Sequence, residues 1–251
     1  MISTDSGESQ LRKLMQAIVI GKATTATKML ATSPALARAR VSQGATRQTA
    51  KASYLGEIAH YLYAGDTALH IAAAAYQTGI VMHLIARGAN VSAKNRRGAE
   101  PLHYAADGVP GSRAWNPRAQ EATILCLIGA GADPNAIDKN GATPLHRAVR
   151  TRCAAAVEAL LSGGAHVLAT NNGGSTPLSL ATRNTGRRIS GGEGTANTDI
   201  ASPKRTAALV TNGSDQSPSR CRLARPQSIR VAAQADGGSA RTRRAIFWQT
   251  Q

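Results

Sequence analysis

Aromatic residues are nearly missing from this chain. One Phe, two Trp and five Tyr amount to 3% of its 251 residues, so its core has to be aliphatic, built from Ala, Leu, Ile and Val. Cysteine is as scarce. Cys126, Cys153 and Cys221 have neither metal nor redox spacing, which argues against a cysteine-built zinc site or disulfide framework and fits a reduced, intracellular setting. No apolar run approaches the roughly eighteen residues a membrane span needs. Leu14 to Ile20, preceded by Arg12-Lys13, imitates a short signal core. It contains Gln16, follows Asp5 and Glu8, and lacks an A-x-A cleavage pattern, so no signal peptide is expected and a cytoplasmic location is the simplest reading. Acidic residues are few, 14 against 30 Lys and Arg, leaving a net charge of +16. The signatures of common chemistries are absent too: no P-loop, no dinucleotide fingerprint, no paired-carboxylate pattern. Gly191-Gly192-Glu193-Gly194 lacks the flanking strand and helix that would give it meaning.

What the chain does hold is one sentence repeated. Gly65-Asp66-Thr67-Ala68-Leu69-His70-Ile71-Ala72-Ala73 returns as Gly98-Ala99-Glu100-Pro101-Leu102-His103-Tyr104-Ala105-Ala106. It returns again as Gly141-Ala142-Thr143-Pro144-Leu145-His146-Arg147-Ala148-Val149, and finally as Gly174-Ser175-Thr176-Pro177-Leu178-Ser179-Leu180-Ala181. The period is 33 residues from Gly65 to Gly98 and from Gly141 to Gly174. A fixed period of this length means stacked supersecondary units, none able to bury its own apolar face alone. Each piece has a physical reason. The Thr hydroxyl can accept a backbone N–H at a helix start, and Pro in the first helical position loses no hydrogen bond. Leu and the Ala pair follow at helical spacing, where Ala lets neighbouring helices approach closely. A second helix carries Ile80, Val81, Leu84 and Ile85, answered by Ile124, Leu127 and Ile128, then by Val157, Leu160 and Leu161. Gly88, Gly131 and Gly164 stand where these helices end, a place for a left-handed residue. The polar runs from Gly88 to Gly98 and from Gly131 to Gly141 read as extended fingers with a tight turn.

The T-P-L-H-x-A motif at this period, in phase with Gly88-Ala89-Asn90-Val91, Gly131-Ala132-Asp133-Pro134-Asn135-Ala136 and Gly164-Ala165-His166-Val167, resembles the ankyrin repeat. The resemblance covers about residues 65–183. It implies an all-α helix–turn–helix solenoid with short β-hairpin or turn fingers, and a protein that binds other macromolecules without chemistry of its own. The units fall at about 65–97, 98–140, 141–173 and a partial 174–183. The second is ten residues too long, and the excess lies in 108–117, Gly108-Val109-Pro110-Gly111-Ser112-Arg113-Ala114-Trp115-Asn116-Pro117. Insertions of this kind map to loops and often individualise a binding face.

Residues 1–64 read as a degenerate, capping helical hairpin followed by a linker. Leu11, Leu14, Met15, Ile18 and Val19 share one helical face, Met29-Leu30 and Leu36 supply a second apolar group, and Gly21 and Pro34 punctuate them. Tyr54, Tyr61 and Tyr63 gather before the first clear repeat and are expected to cover the first interface of the stack rather than form a ligand platform. Beyond Arg183 the text becomes rich in Gly, Ser, Pro, Thr and Arg with little apolar periodicity, so 184–251 reads as a disordered basic tail. The fourth unit lacks a convincing second helix. Ala207-Ala208-Leu209-Val210 is the one candidate, and Pro203 interrupts its approach. A native flexible tail and a shifted reading frame that replaced the cap both account for the break.

The basic excess is shared, with 19 basic and 10 acidic residues up to Arg183, and 11 and 4 after it. In the resembled family the finger tips and the exposed side of the first helices form a concave binding surface. The matching positions here are Arg96, Arg97, Lys139, Asn140 and Asn172 on the fingers, and Ala74, Ala75, Asp107, Arg150 and Thr151 on the helices. This face is expected to attract an acidic protein surface by steering and charge-assisted hydrogen bonds. The competing reading is that these cations only solvate an exposed solenoid.

Enzymatic chemistry is not expected. His70, His103 and His146 share one repeat position, but stacked helices lie about 8–10 Å apart and zinc ligands about 2 Å from their ion. Each imidazole is therefore expected to tie its own turn to the next through backbone hydrogen bonds, with no metal or other cofactor. Cys153, seven residues after His146, is too far along its helix for a Cys–His pair. Sequence-blind nucleic-acid binding through the tail is the rival partner reading, since a strongly basic chain attracts phosphate. Arg220-Cys221-Arg222 and Arg241-Thr242-Arg243-Arg244 lack interleaved aromatics until Phe247 and Trp248, which counts against it. A scaffold without one fixed partner is the third.

Overall fold

The computed structural model describes residues 4–108, 115–182 and 203–214, all within one unit, Met1–Asp215. Helices come in pairs: α1 (Thr4–Val19) with α2 (Ala23–Thr32), α3 (Ala68–Ala74) with α4 (Thr78–Ala86), and α5 (Pro101–Ala106) with α6 (Pro117–Gly129). The series continues with α7 (Pro144–Thr151) and α8 (Ala154–Ser162), then α9 (Pro177–Thr182) and α10 (Pro203–Ser214). The first members pack in one row, α1 on α3, α3 on α5, α5 on α7 and α7 on α9. The second members form the other row, α2 on α4 through to α8 on α10.

One repeated set of side chains fills the space between the rows. Leu69, Ala72, Leu102, Ala105, Leu145 and Ala148 from the first row are completely buried, as are Val81, Leu84, Ile124, Leu127, Val157 and Leu160 from the second. Leu11, Leu14 and Ile18 of α1 extend this core over the leading end. The expected hairpin cap is thus a helix pair continuous with the stack. Helix ends fall where the glycines stand, with Gly88, Gly131 and Gly164 at φ of 82°, 94° and 90°, a region that costs any other residue.

The fingers are tight turns. Among the described residues the strands are β1 (Tyr54–Leu55) and β2 (His60–Tyr61), an antiparallel pair in the linker before the first repeat. This linker is more ordered than its polar composition suggests. Val41 N–H donates to Asp66 O and Gly65 N–H to Val41 O, tying the segment to the first repeat. Ile58 and Leu62 are its buried anchors. The expectation that the tyrosines cover the first interface is corrected: Tyr63 is half-buried, while Tyr54 and Tyr61 face outward.

A second correction concerns the fourth repeat. α10 is a helix inside the segment expected to be disordered, and it packs on α9 and α8. Pro203 is its first residue, where proline starts a helix rather than breaking one. Thr206 and Val210, four residues apart on one face, are buried. α10 thus stands in the place of the second helix that the fourth repeat lacked in sequence. The rest of the expected tail, residues 184–202 and 215–251, lies outside the described residues, as does most of the insertion, 109–114.

Candidate partner-binding surface

The fingers are built by one side chain at a repeated position. Asn95 Oδ1 accepts from the N–H groups of Arg97 (2.8 Å) and Ala99 (3.1 Å). Asp138 Oδ1 accepts from Asn140 (2.8 Å) and Ala142 (3.1 Å), and Asn171 Oδ1 from Gly173 (3.0 Å) and Ser175 (3.0 Å). Each Asx side chain substitutes for a backbone turn and forces the two residues after it to the tip. The tips then join into a ladder: Arg96 N–H donates to Ala64 O (2.7 Å), Lys139 N–H to Arg97 O (2.9 Å) and Asn172 N–H to Asn140 O (3.0 Å). Contact between fingers is close enough that a Cβ on Gly141 would lie 2.9 Å from the Asn172 backbone nitrogen, and its φ of +69° already favours glycine.

This ladder brings Arg96, Arg97, Lys139, Asn140 and Asn172 onto one edge, and all five are exposed. The two arginines are also tethered. The Arg96 guanidinium donates to Ala45 O, Arg97 Nη1 donates to the Tyr63 hydroxyl (3.3 Å), and both lie over the Tyr63 ring, 5.8 and 5.2 Å from its centroid. Cation–π contact holds the cations in place while leaving their outward N–H groups free.

The helix positions divide. Arg150 is exposed. Ala74 is buried, like every residue of α3, because this short helix is flanked by α1, α4 and α5. It offers no surface, and Ala75 is half-buried. The Thr151 hydroxyl turns back onto its own helix, donating to Arg147 O (3.0 Å). Asp107 is engaged internally. Its carboxylate meets Arg147 Nη1 at 2.7 Å and Arg150 Nη2 at 3.4 Å, and its carbonyl accepts from the buried Tyr76 hydroxyl at 2.6 Å. Burial would raise the Asp107 carboxyl, but Arg147, His60 and Arg150 together hold it below its ordinary value. Arg147 also reaches Asp138 Oδ2 at 2.9 Å, so one guanidinium bridges two carboxylates, with Arg150 as a second cation on Asp107.

Sequence reasoning overlooked this hub, although Arg147 stands where the other first helices carry Ile71 and Tyr104. It also overlooked His60, which stacks on Tyr104 with centroids 4.4 Å apart and lies 3.9 Å from Asp107. Beneath it, the fully buried Asp66 accepts from Tyr63 N–H (2.7 Å), Asn95 Nδ2 (2.8 Å) and the Tyr104 hydroxyl (2.9 Å). A buried carboxylate in the first copy of the motif was the available signal, since charge survives inside a protein only with partners.

The three histidines tie turn to turn, as their spacing implies. Each Nδ1 accepts the backbone N–H three residues earlier, from Thr67 (3.1 Å), Glu100 (3.2 Å) and Thr143 (3.1 Å). Each Nε2 therefore carries the proton and donates to the next finger, to Ala99 O (3.1 Å), Ala142 O (3.0 Å) and Ser175 O (3.0 Å). Burial lowers all three imidazoles, His103 to about 4. The Cys153 thiol is buried and pushed up to about 11 by that burial. Among the described residues no three His, Cys, Asp or Glu side chains gather where a metal ion could sit, and no helix is long and apolar enough to cross a membrane.

Comparison with known families agrees with this geometry. The family model described as the ankyrin repeat matches residues 64–96, and that described as ankyrin repeats (many copies) matches residues 127–181. Both matched stretches are finger-and-helix-pair units of the stack. No curated protein matches the chain.

Proposed function

The chain is an ankyrin repeat protein, and we propose that it is a non-enzymatic interaction module whose concave face takes an acidic surface of a protein partner. Ankyrin repeats generally mediate protein–protein contacts. The observation that carries the finer reading is the finger ladder, which fixes Arg96, Arg97 and Lys139 along one edge while the nearby carboxylates of Asp107 and Asp138 are both taken up by Arg147. With Arg150 also on Asp107, two cations balance the two carboxylates, and none of Arg96, Arg97 and Lys139 is paired with an acid among the described residues. Arg150, its side chain 55% exposed, spends its charge on Asp107 at 3.4 Å. Opposite charge steers association and sets specificity more than it sets raw affinity.

Several features support a role without catalysis. The imidazoles have both nitrogens committed to backbone, and a thiol raised by burial is a poor nucleophile. The test uses the full chain as bait at low and physiological salt, with and without nuclease. A discrete protein held at physiological salt, and lost with the Arg96→Glu/Arg97→Glu variant, supports the reading. Retention of nuclease-sensitive material alone, fading steeply with salt, or capture indifferent to the charge reversal, overturns it.

A further inference from the structure

We propose that Tyr54 and Tyr61, together with Tyr63 and the finger arginines, form a docking platform for an acidic polypeptide segment that carries an apolar side chain. The inference rests on the acidic-partner reading above and names what the acidic segment must also contain. In the β1–β2 pair, Tyr54 is directly opposite Tyr61, which puts both rings on one face. Their centroids are 4.9 Å apart, and Tyr61 continues to Tyr63 at 6.4 Å. Tyr63 in turn carries Arg96 and Arg97 on its ring. The result is one continuous strip, aromatic at one end and cationic at the other, that runs into the finger ladder.

The strip is unlike the rest of the molecule. The chain has eight aromatic residues in all, yet Tyr54 is 45% and Tyr61 40% exposed, while Ile58 and Leu62 of the same hairpin are buried and hold it down. Paired, outward-facing tyrosines on an anchored hairpin are costly to leave in water and are characteristic of protein interfaces. Among the described residues neither hydroxyl has a hydrogen-bond partner, so both can donate to a carboxylate.

A single-stranded nucleic acid would meet the same charge, but base stacking requires open ring faces. Here Tyr54 and Tyr61 lean on each other at 52°, and Tyr63 is covered by guanidinium groups. Ring edges and hydroxyls remain, which suit aliphatic side chains and carboxylates. Charge and exposed apolar area together therefore favour a polypeptide.

The experiment selects peptides from a random displayed library on the immobilised full chain, then measures a synthesised winner by fluorescence anisotropy. A single-stranded DNA oligonucleotide is run beside it. The expected winners are acidic with an apolar residue. Their binding falls about tenfold in Tyr54→Ala/Tyr61→Ala, stays within about twofold in Tyr54→Phe/Tyr61→Phe, and also falls in Arg96→Glu/Arg97→Glu. The alanine variant should stay folded with only a small fall in thermal midpoint, since the two rings pack chiefly on each other and on Tyr63. Binding that falls with the arginine change and ignores the tyrosines sinks the platform and leaves the acidic-face reading standing. No enrichment, or enrichment indifferent to both changes, sinks both. Oligonucleotide binding that depends on the tyrosines while peptides are ignored overturns the polypeptide assignment.

Discussion

His103 Nε2 stands 3.0 Å from the carbonyl oxygen of Ala142, the residue that opens the next finger's return to its helix. The ring makes both of its bonds only when neutral, because Nδ1 simultaneously accepts the Glu100 N–H. A protonated imidazole would have to give up that acceptor and carry charge in an apolar setting.

The stability of the stack should therefore depend on pH in the mild acid range. With a folded value of about 4 for His103 and an ordinary value near 6.5, the unfolded chain binds the extra proton between these limits. Stability is full above about pH 6.5 and is lost as pH falls towards about 4. The loss from this one group is roughly 3 kcal/mol, and His70 and His146 act in the same direction. Urea unfolding at pH 7.5 and pH 5 should show the drop, and His103→Gln should reduce it by the share that His103 contributes. An unchanged midpoint across that range would contradict the assigned tautomers.

At the position where the three other repeats have Thr67, Thr143 and Thr176, the second repeat has Glu100. It is 3% exposed, its Oε2 has no hydrogen-bond partner among the described residues, and the Lys94 ammonium stands 3.8 Å away on the surface. Burial raises its carboxyl above the ordinary value. Glu100→Thr should stabilise the protein by about 1 kcal/mol, since it removes a poorly satisfied buried acid while keeping a side chain that can cap the helix as Glu100 now does. A group raised on folding favours the folded state only at low pH, so the gain should be larger at pH 7 than at pH 5. Paired melts at the two values check both the sign and the trend.

Much of this architecture was legible because it is periodic. The Leu and Ala positions, the helix-ending glycines and the histidine ties each recur in phase, so one local rule could be checked several times. What escaped the sequence lies between unlike segments. His60 meets Tyr104, and Tyr63 meets Arg97, through a linker with no repeat to align it, and only the fold brings such distant positions together. Asp107 was placed on the surface by repeat position alone. It is drawn inward by Arg147, an ion pair that appears in no other copy of the motif. Ala74 failed for a simpler reason, as α3 is too short to have a solvent side between its neighbours.

Arg147 carries two carboxylates, so its loss should be costly. Arg147→Met leaves Asp107 and Asp138 without their shared cation and should destabilise by about 3–5 kcal/mol. Asp107→Asn in the same background should recover part of the loss, because one uncompensated charge disappears with it. A double-mutant cycle by urea denaturation measures that coupling, and strictly additive losses would show that the three groups do not act as a unit.

The trailing end of the stack depends on α10. Val210 is completely buried against the preceding helices while Ala208, two residues earlier, faces water. An aspartate at 210 has to bury a carboxylate with no partner or release the helix, at a cost of roughly 2 kcal/mol or more. At 208 the same residue should cost only about half a kcal/mol. In a solenoid, loss of the terminal unit exposes the next one, so amide exchange in α9 and then α8 should quicken in Val210→Asp and stay near the parent's rate in Ala208→Asp. Equal protection in the two variants would mean that α10 does not cap the stack. The fourth repeat would then end at α9, with its apolar face, including the half-buried Leu178 and Leu180, open to another partner.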